Sequence, residues 1–156
     1  FSEPQPATCD KEEEKLCGKS FTLGLIEALY VNDKVNIALN TKTRREVIAQ
    51  ATVTNDTSQQ IIDAPGSAKI CPLRRDNGCL LHRYRPLHCR LRGIGENDPR
   101  LEEILRELDL LSRLVFTALF QQHSDIAPPA VSCPDSVSGK FIQNYFHYLA
   151  SQKASP

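Results

Sequence analysis

Three of the chain's six cysteines and two of its four histidines lie in the nineteen residues from Cys71 to Cys89. Such a concentration of soft donors constrains the chain more than any other feature. Asp76, Asn77 and Gly78 give a tight-turn signal between Cys71 and Cys79, so the backbone can double back and bring the two thiols together. That arrangement suits a shared ion or a shared disulfide. Six cysteines in 156 residues exceed the needs of a packed core and fall short of the density of a small disulfide scaffold.

The charge pattern sharpens the reading. Nineteen Lys and Arg balance nineteen Asp and Glu, and the pI is about 7.1, so no whole-molecule field draws the chain to nucleic acid or to a charged membrane. Yet seven Lys or Arg residues stand between Lys69 and Arg92 against a single acid, Asp76, a local charge of about +6 at neutral pH. Four thiolates around zinc, or around a four-iron cubane, carry an excess of negative charge that nearby cations offset. Guanidinium groups also lower thiol pKa values and donate hydrogen bonds to coordinated sulfur; Arg85 and Arg90 are the candidates for this role. The alternative is ordinary solvated loop charge. Nucleic-acid binding through the same arginines is disfavoured, because only Tyr84 offers a stacking surface and the net charge is zero.

The string Cys71-Pro72-Leu73, then Gly78-Cys79, then Arg85-Pro86-Leu87-His88-Cys89-Arg90 resembles the second half of the CxxCxxCC family of zinc- or iron-chelating domains. The resemblance is limited to about residues 71–92. It implies a metal-chelating domain, with zinc or an iron–sulfur cluster as cofactor. The dense cysteine cluster with which that family begins is represented here only by Cys9 and Cys17-Gly18. Some relatives are fused to enzymes, but no methyl-donor or nucleotide loop is present. Cys17-Gly18-Lys19-Ser20 ends like a P-loop and lacks its first glycine and a preceding strand.

Around this segment the chain reads as one mainly α domain over residues 1–156, with a cysteine-rich loop at 69–93. Phe21, Leu25, Leu29 and Leu23, Ile26, Tyr30 step along one apolar face, predicting a helix capped by Ser20 that bends near Asn32 and Asp33. A second helix is predicted over Thr43–Thr54, with Val47, Ile48 and Ala51 inward, and a long loop over Asn55–Ser67. Asp98 and Pro99 supply an N-cap and a first-turn proline to a long helix reaching Phe120. Ala127–Pro134 reads as a Pro-rich connection, and Asp135 or Ser136 opens a last helix whose Phe141, Tyr145, Tyr148 and Leu149 share one face.

With Cys71, Cys79 and Cys89 as metal ligands, the fourth is taken as Cys17, which is followed by Gly18 as in the family's first cluster. Cys133 ranks second, in a loop beside Pro134, followed by Cys9, His82 and His88. The role of the metal is structural, sensory or redox. No nucleophile held by a base stands outside the proposed site, so catalysis is left open. One alternative is an exported helical sensor or ligand-binding domain stabilised by disulfides, for which six cysteines allow 15 pairings; another is a protein-interaction module. Cytoplasmic placement goes with the thiolate reading, and a periplasmic or extracellular segment with the disulfide reading. A start at Phe1 fits an excised or processed chain. No apolar run reaches the roughly 18 to 20 residues of a membrane span.

Overall fold

The computed structural model describes residues 21–58, 71–75, 78–91, 98–120 and 127–153. Six helices account for most of them: α1 (Leu25–Ala38), α2 (Thr41–Ser58), the single turn α3 (Leu87–Arg90), α4 (Pro99–Leu119), α5 (Cys133–Ser138) and α6 (Lys140–Lys153). Two small antiparallel pairs join them. β1 (Thr22–Leu23) pairs with β4 (Val131–Ser132), and β2 (Arg74–Arg75) pairs with β3 (Gly78–Cys79). The chain is mainly α, and among the described residues no helix is long and apolar enough to cross a membrane.

The shortest of the core helices holds the centre. Residues of α5 pack against α1, α2 and α6 together, and Cys133, Pro134, Ser136 and Val137 are all buried. Its start follows from sequence chemistry. Ser132 caps the helix by accepting the amide of Asp135 at 3.1 Å, its hydroxyl donates to the Asp135 carboxylate at 2.8 Å, and Pro134 sits in the first turn, where no amide is needed. Its end follows from Gly139, whose φ of 78° turns the chain left-handed and lets α6 begin at once. Inside, the Ser136 hydroxyl donates to the Ala28 carbonyl at 2.9 Å and the Asn32 amide donates to the Ser136 carbonyl at 3.0 Å, so α5 is bonded to α1 as well as packed on it.

Several boundaries differ from the sequence reading, each for a tertiary reason. The first helix starts at Leu25 rather than after Ser20, because Leu23 is buried in the strand pairing with Val131. Gly24 then occupies the cap position without a side-chain bond of its own; the hydroxyl of Ser112, from α4, accepts the Ile26 amide instead at 3.2 Å. Helix α1 continues through Asn32 and Asp33 to Ala38; the Asn32 side chain donates to α5 and accepts from Asn36 one turn further along the same helix. The second helix is longer than expected at both ends: Asn40 accepts the Thr43 amide at 2.9 Å, and helix runs to Ser58, taking in the first part of the expected loop. The last helical region opens at Cys133, inside the expected Pro-rich connection, because Ser132 and Pro134 form an N-terminus.

The long helix α4 matches its sequence signals. Asp98 caps it by accepting the Arg100 amide at 2.9 Å, and the Arg100 guanidinium grips the same carboxylate, holding its pKa down to about 2. Its packing is lighter than its leucines imply. Only Ser112 and Phe116 are buried, while Leu110, Leu111, Leu114 and Leu119 are exposed. Phe116 joins an aromatic group with Phe120 and Tyr145, with ring centres 5.0 and 5.8 Å away from it.

Two stability predictions follow from these contacts. Gly139→Ala should lower unfolding free energy by about 1–2 kcal/mol, the cost of the left-handed conformation for an L side chain, and Gly139→Asn should cost less; urea midpoints at unchanged slope test this. Tyr145 donates to the Pro129 carbonyl at 2.7 Å, and burial pushes its hydroxyl up to about 12. A phenol raised in the folded state stabilises the fold below its ordinary pKa of about 10 and loses that contribution as pH climbs through the folded value. Tyr145→Phe should therefore lose about 0.5–1.5 kcal/mol near neutrality and show a weaker alkaline decline in melting temperature than the parent.

Candidate metal centre

The resemblance segment folds as a compact knot against α1 and α5. Pro72 and Leu73 are buried, and the Arg74 amide closes a turn onto the Cys71 carbonyl at 2.9 Å. From there the strand pair sets Arg74 opposite Cys79 and Arg75 opposite Gly78. The Leu80 amide donates back to the Leu73 carbonyl at 2.9 Å, so the doubling back signalled by Asp76, Asn77 and Gly78 does occur. Leu81, buried, leads into a 3-10 turn (His82–Tyr84), and Pro86 then opens α3, which carries Cys89.

Cys89 is positioned by groups around its turn. The Pro86 carbonyl accepts the amides of Cys89 and Arg90 at 3.0 and 3.2 Å. Arg90 folds its guanidinium back, donating to the carbonyls of Arg85 and Arg83, each at 2.9 Å. Thus Arg90 knits the loop that bears Cys89. Arg85 is half-buried. The amino group of Lys34, on α1, lies 5.8 Å from the centre of the Tyr84 ring and 5.3 Å from that of Tyr30, which ties the loop to α1 from outside.

The residue that sequence reasoning missed is Glu27. It lies on α1 and is 7% exposed, and its carboxylate accepts the amide of His88 at 2.9 Å and also that of Leu87. These are donors of the first turn of α3, which would otherwise lack intrahelical partners. Burial raises the pKa of Glu27, and the His88 and Leu87 amides oppose that rise. A signal was present, since Glu27 is the one charged residue between Phe21 and Asn32. An acid inside an apolar helix face needs a partner.

Two of the thiols meet. Cys71 Sγ and Cys133 Sγ are 3.6 Å apart, although 62 residues separate them in the chain. The hydrogen bond with Cys71, together with burial, holds the Cys133 thiol well above the ordinary range, and the charges of Cys71, Cys89 and Cys79 press in the same direction. All four are thiols rather than half-cystines, with Cys79 and Cys133 buried and Cys71 and Cys89 half-buried. Among the described residues, no three His, Cys, Asp or Glu side chains are already drawn in to the spacing of a closed metal cage.

Of the other proposed ligands, His88 stacks its ring on Phe21, with centres 5.0 Å apart and planes 14° from parallel. His82 lies half-buried on the 3-10 turn. Cys17 and Cys9 fall outside the described residues. Cys133, ranked second from the sequence and assigned there to a loop, is the first residue of α5.

No family model, curated protein or solved structure matches the chain. What the site can do is therefore judged from its own chemistry. Two sulfurs bound to one tetrahedral zinc, with bonds of about 2.3 Å, stand about 3.8 Å apart; the Cys71–Cys133 pair is already near that spacing. In a cubane each thiolate takes its own iron, which two touching sulfurs do not accommodate without separating.

Glu27→Ala leaves buried amides of α3 without an acceptor and should cost about 1–3 kcal/mol, whereas Glu27→Gln keeps an acceptor oxygen and should be near neutral at pH 7. A carboxyl raised by burial binds its proton more tightly when folded. Its favourable contribution is complete below the unfolded pKa and fades as pH rises through the folded one. The parent should lose this increment as pH rises above the ordinary carboxyl range, and Glu27→Gln should not. Denaturation curves from pH 4 to 7 measure the difference.

Proposed function

We propose that this chain is a metal-chelating domain whose described thiols, Cys71, Cys79, Cys89 and Cys133, close on a single zinc ion. The observation that carries the reading is the 3.6 Å contact between Cys71 and Cys133, with Cys79 and Cys89 carried on the same short segment as Cys71. Four sulfurs with no open position make a structural site. Its physical effect is to lock the Cys71–Arg90 knot onto α5. The ligands give up their protons on binding, and the cationic segment between Lys69 and Arg92 offsets the charge that results. The resemblance to the CxxCxxCC proteins supports the same chemistry from an independent direction. Cys133 is preferred over Cys17 as fourth ligand because it is in contact with Cys71.

Zinc binding to the native state and not to the unfolded one adds stability by mass action, about 4 kcal/mol at a thousandfold excess over the dissociation constant. The chain purified without oxygen should therefore carry one zinc, and a strong chelator should lower its melting temperature. Cys79→Ser and Cys133→Ser should each lose the metal, while Cys17→Ser keeps it. Retention of stoichiometric zinc by Cys133→Ser overturns the ligand set. A brown chain absorbing near 400 nm replaces the zinc with an iron cluster.

A protein-interaction module is the second reading, favoured by the exposed Leu110, Leu111, Leu114 and Leu119 on α4. Under it the chain contains no metal, and its thermal melt is indifferent to chelator.

A further inference from the structure

The contact between Cys71 and Cys133 permits chemistry other than holding a shared ion. Their sulfurs touch, one is half-buried and the other is 5% exposed, and they come from parts of the chain held by different means. Cys133 is fixed on α5, bonded through Ser136 to α1. Cys71 begins the knot, anchored through the buried Pro72 and Leu73 just after it. A disulfide needs its sulfurs about 2.05 Å apart, so closure asks for a movement of about 1.5 Å, within the reach of side-chain rotation and a small shift of the loop.

We infer that Cys71 and Cys133 form a hydroperoxide-responsive dithiol, whose oxidation to a disulfide dismantles the zinc site. The consequence for zinc rests on the metal-chelating reading above; the pairing of the two sulfurs does not. Cys71 is the attacking residue, because it is the more exposed of the two. Its thiolate attacks one oxygen of hydrogen peroxide and the O–O bond breaks. Cys71 becomes a sulfenic acid, and the departing hydroxide takes the proton that the thiol gave up, forming water. The sulfur of Cys133 then attacks the Cys71 sulfur, forming the S–S bond and breaking the S–O bond. The expelled hydroxide takes the Cys133 proton and leaves as a second water. In sum, two thiols and one peroxide give one disulfide and two waters, and the two electrons lost by sulfur reduce the peroxide.

The oxidised pair no longer supplies thiolates, the form of cysteine that binds zinc. Only Cys79 and Cys89 of the described set remain, and two thiolates hold zinc far more weakly than four. The reaction is reversible, since a dithiol reductant restores both thiols.

The full chain is tested in two forms, zinc-loaded and zinc-free. Each is reduced, treated with a small molar excess of hydrogen peroxide, trapped with an alkylating reagent and mapped by mass spectrometry, while a chromogenic chelator follows zinc. The first disulfide should be Cys71–Cys133 in both forms. Zinc should leave in step with its formation and rebind after dithiothreitol, and in the zinc-free form Cys71→Ser should slow the peroxide-driven loss of the first thiols at least tenfold. A chain that binds no zinc yet pairs Cys71 with Cys133 first supports the dithiol and overturns the zinc reading. If zinc is bound but the first disulfide joins other cysteines, the inference is overturned and the zinc reading stands; if zinc remains bound after Cys71–Cys133 has formed, both the inference and the four-thiol ligand set are overturned.

Discussion

The fold depends on burying a six-residue helix. Helix α5 touches α1, α2 and α6, and its two interior hydrogen bonds to α1 satisfy polar groups that would otherwise be costly to enclose. Such a short helix is unstable alone, since nucleation costs more than a few backbone bonds return. Its cap at Ser132, its first-turn Pro134 and its stop at Gly139 define it locally, and burial from several sides makes it permanent. Cys133 is thereby buried in the core, where Cys71 of the knot meets it.

The knot is secured by groups other than its thiols. Glu27 reaches from α1 to cap the turn that carries Cys89, Arg90 gathers the carbonyls of Arg83 and Arg85, and Lys34 lies by the Tyr84 ring. Each holds backbone or ring geometry, so the thiols inherit their positions from contacts made elsewhere. These contacts also give the Arg-Pro-x-x-Cys-Arg string a physical meaning: Pro86 starts the turn, Cys89 is presented by it, and Arg90 ties it shut.

Much of this was legible in the sequence. The Asp98–Pro99 start of α4, the inward Val47 and Ala51 of α2, the apolar face of Phe141, Tyr145 and Leu149, and the turn between Cys71 and Cys79 all follow from local rules, and the structure has them. The site was only half legible. Cys71, Cys79 and Cys89 announce themselves by spacing, whereas Cys133 lies 44 residues beyond Cys89 and reaches the cluster only through the packing of α5. Ser112 in place of Ser20 as partner for the start of α1, and Glu27 as the cap of α3, were hidden for the same reason. Both are contacts between distant parts of the chain, which periodicity and turn chemistry do not encode.

Zinc K-edge X-ray absorption on the anaerobically purified chain tests the central claim most directly, because it counts the atoms bound to the metal. A single shell of four sulfurs at about 2.3 Å is the predicted result. A shell containing imidazole nitrogen or carboxylate oxygen, or a chain with no metal-bound sulfur, would contradict it.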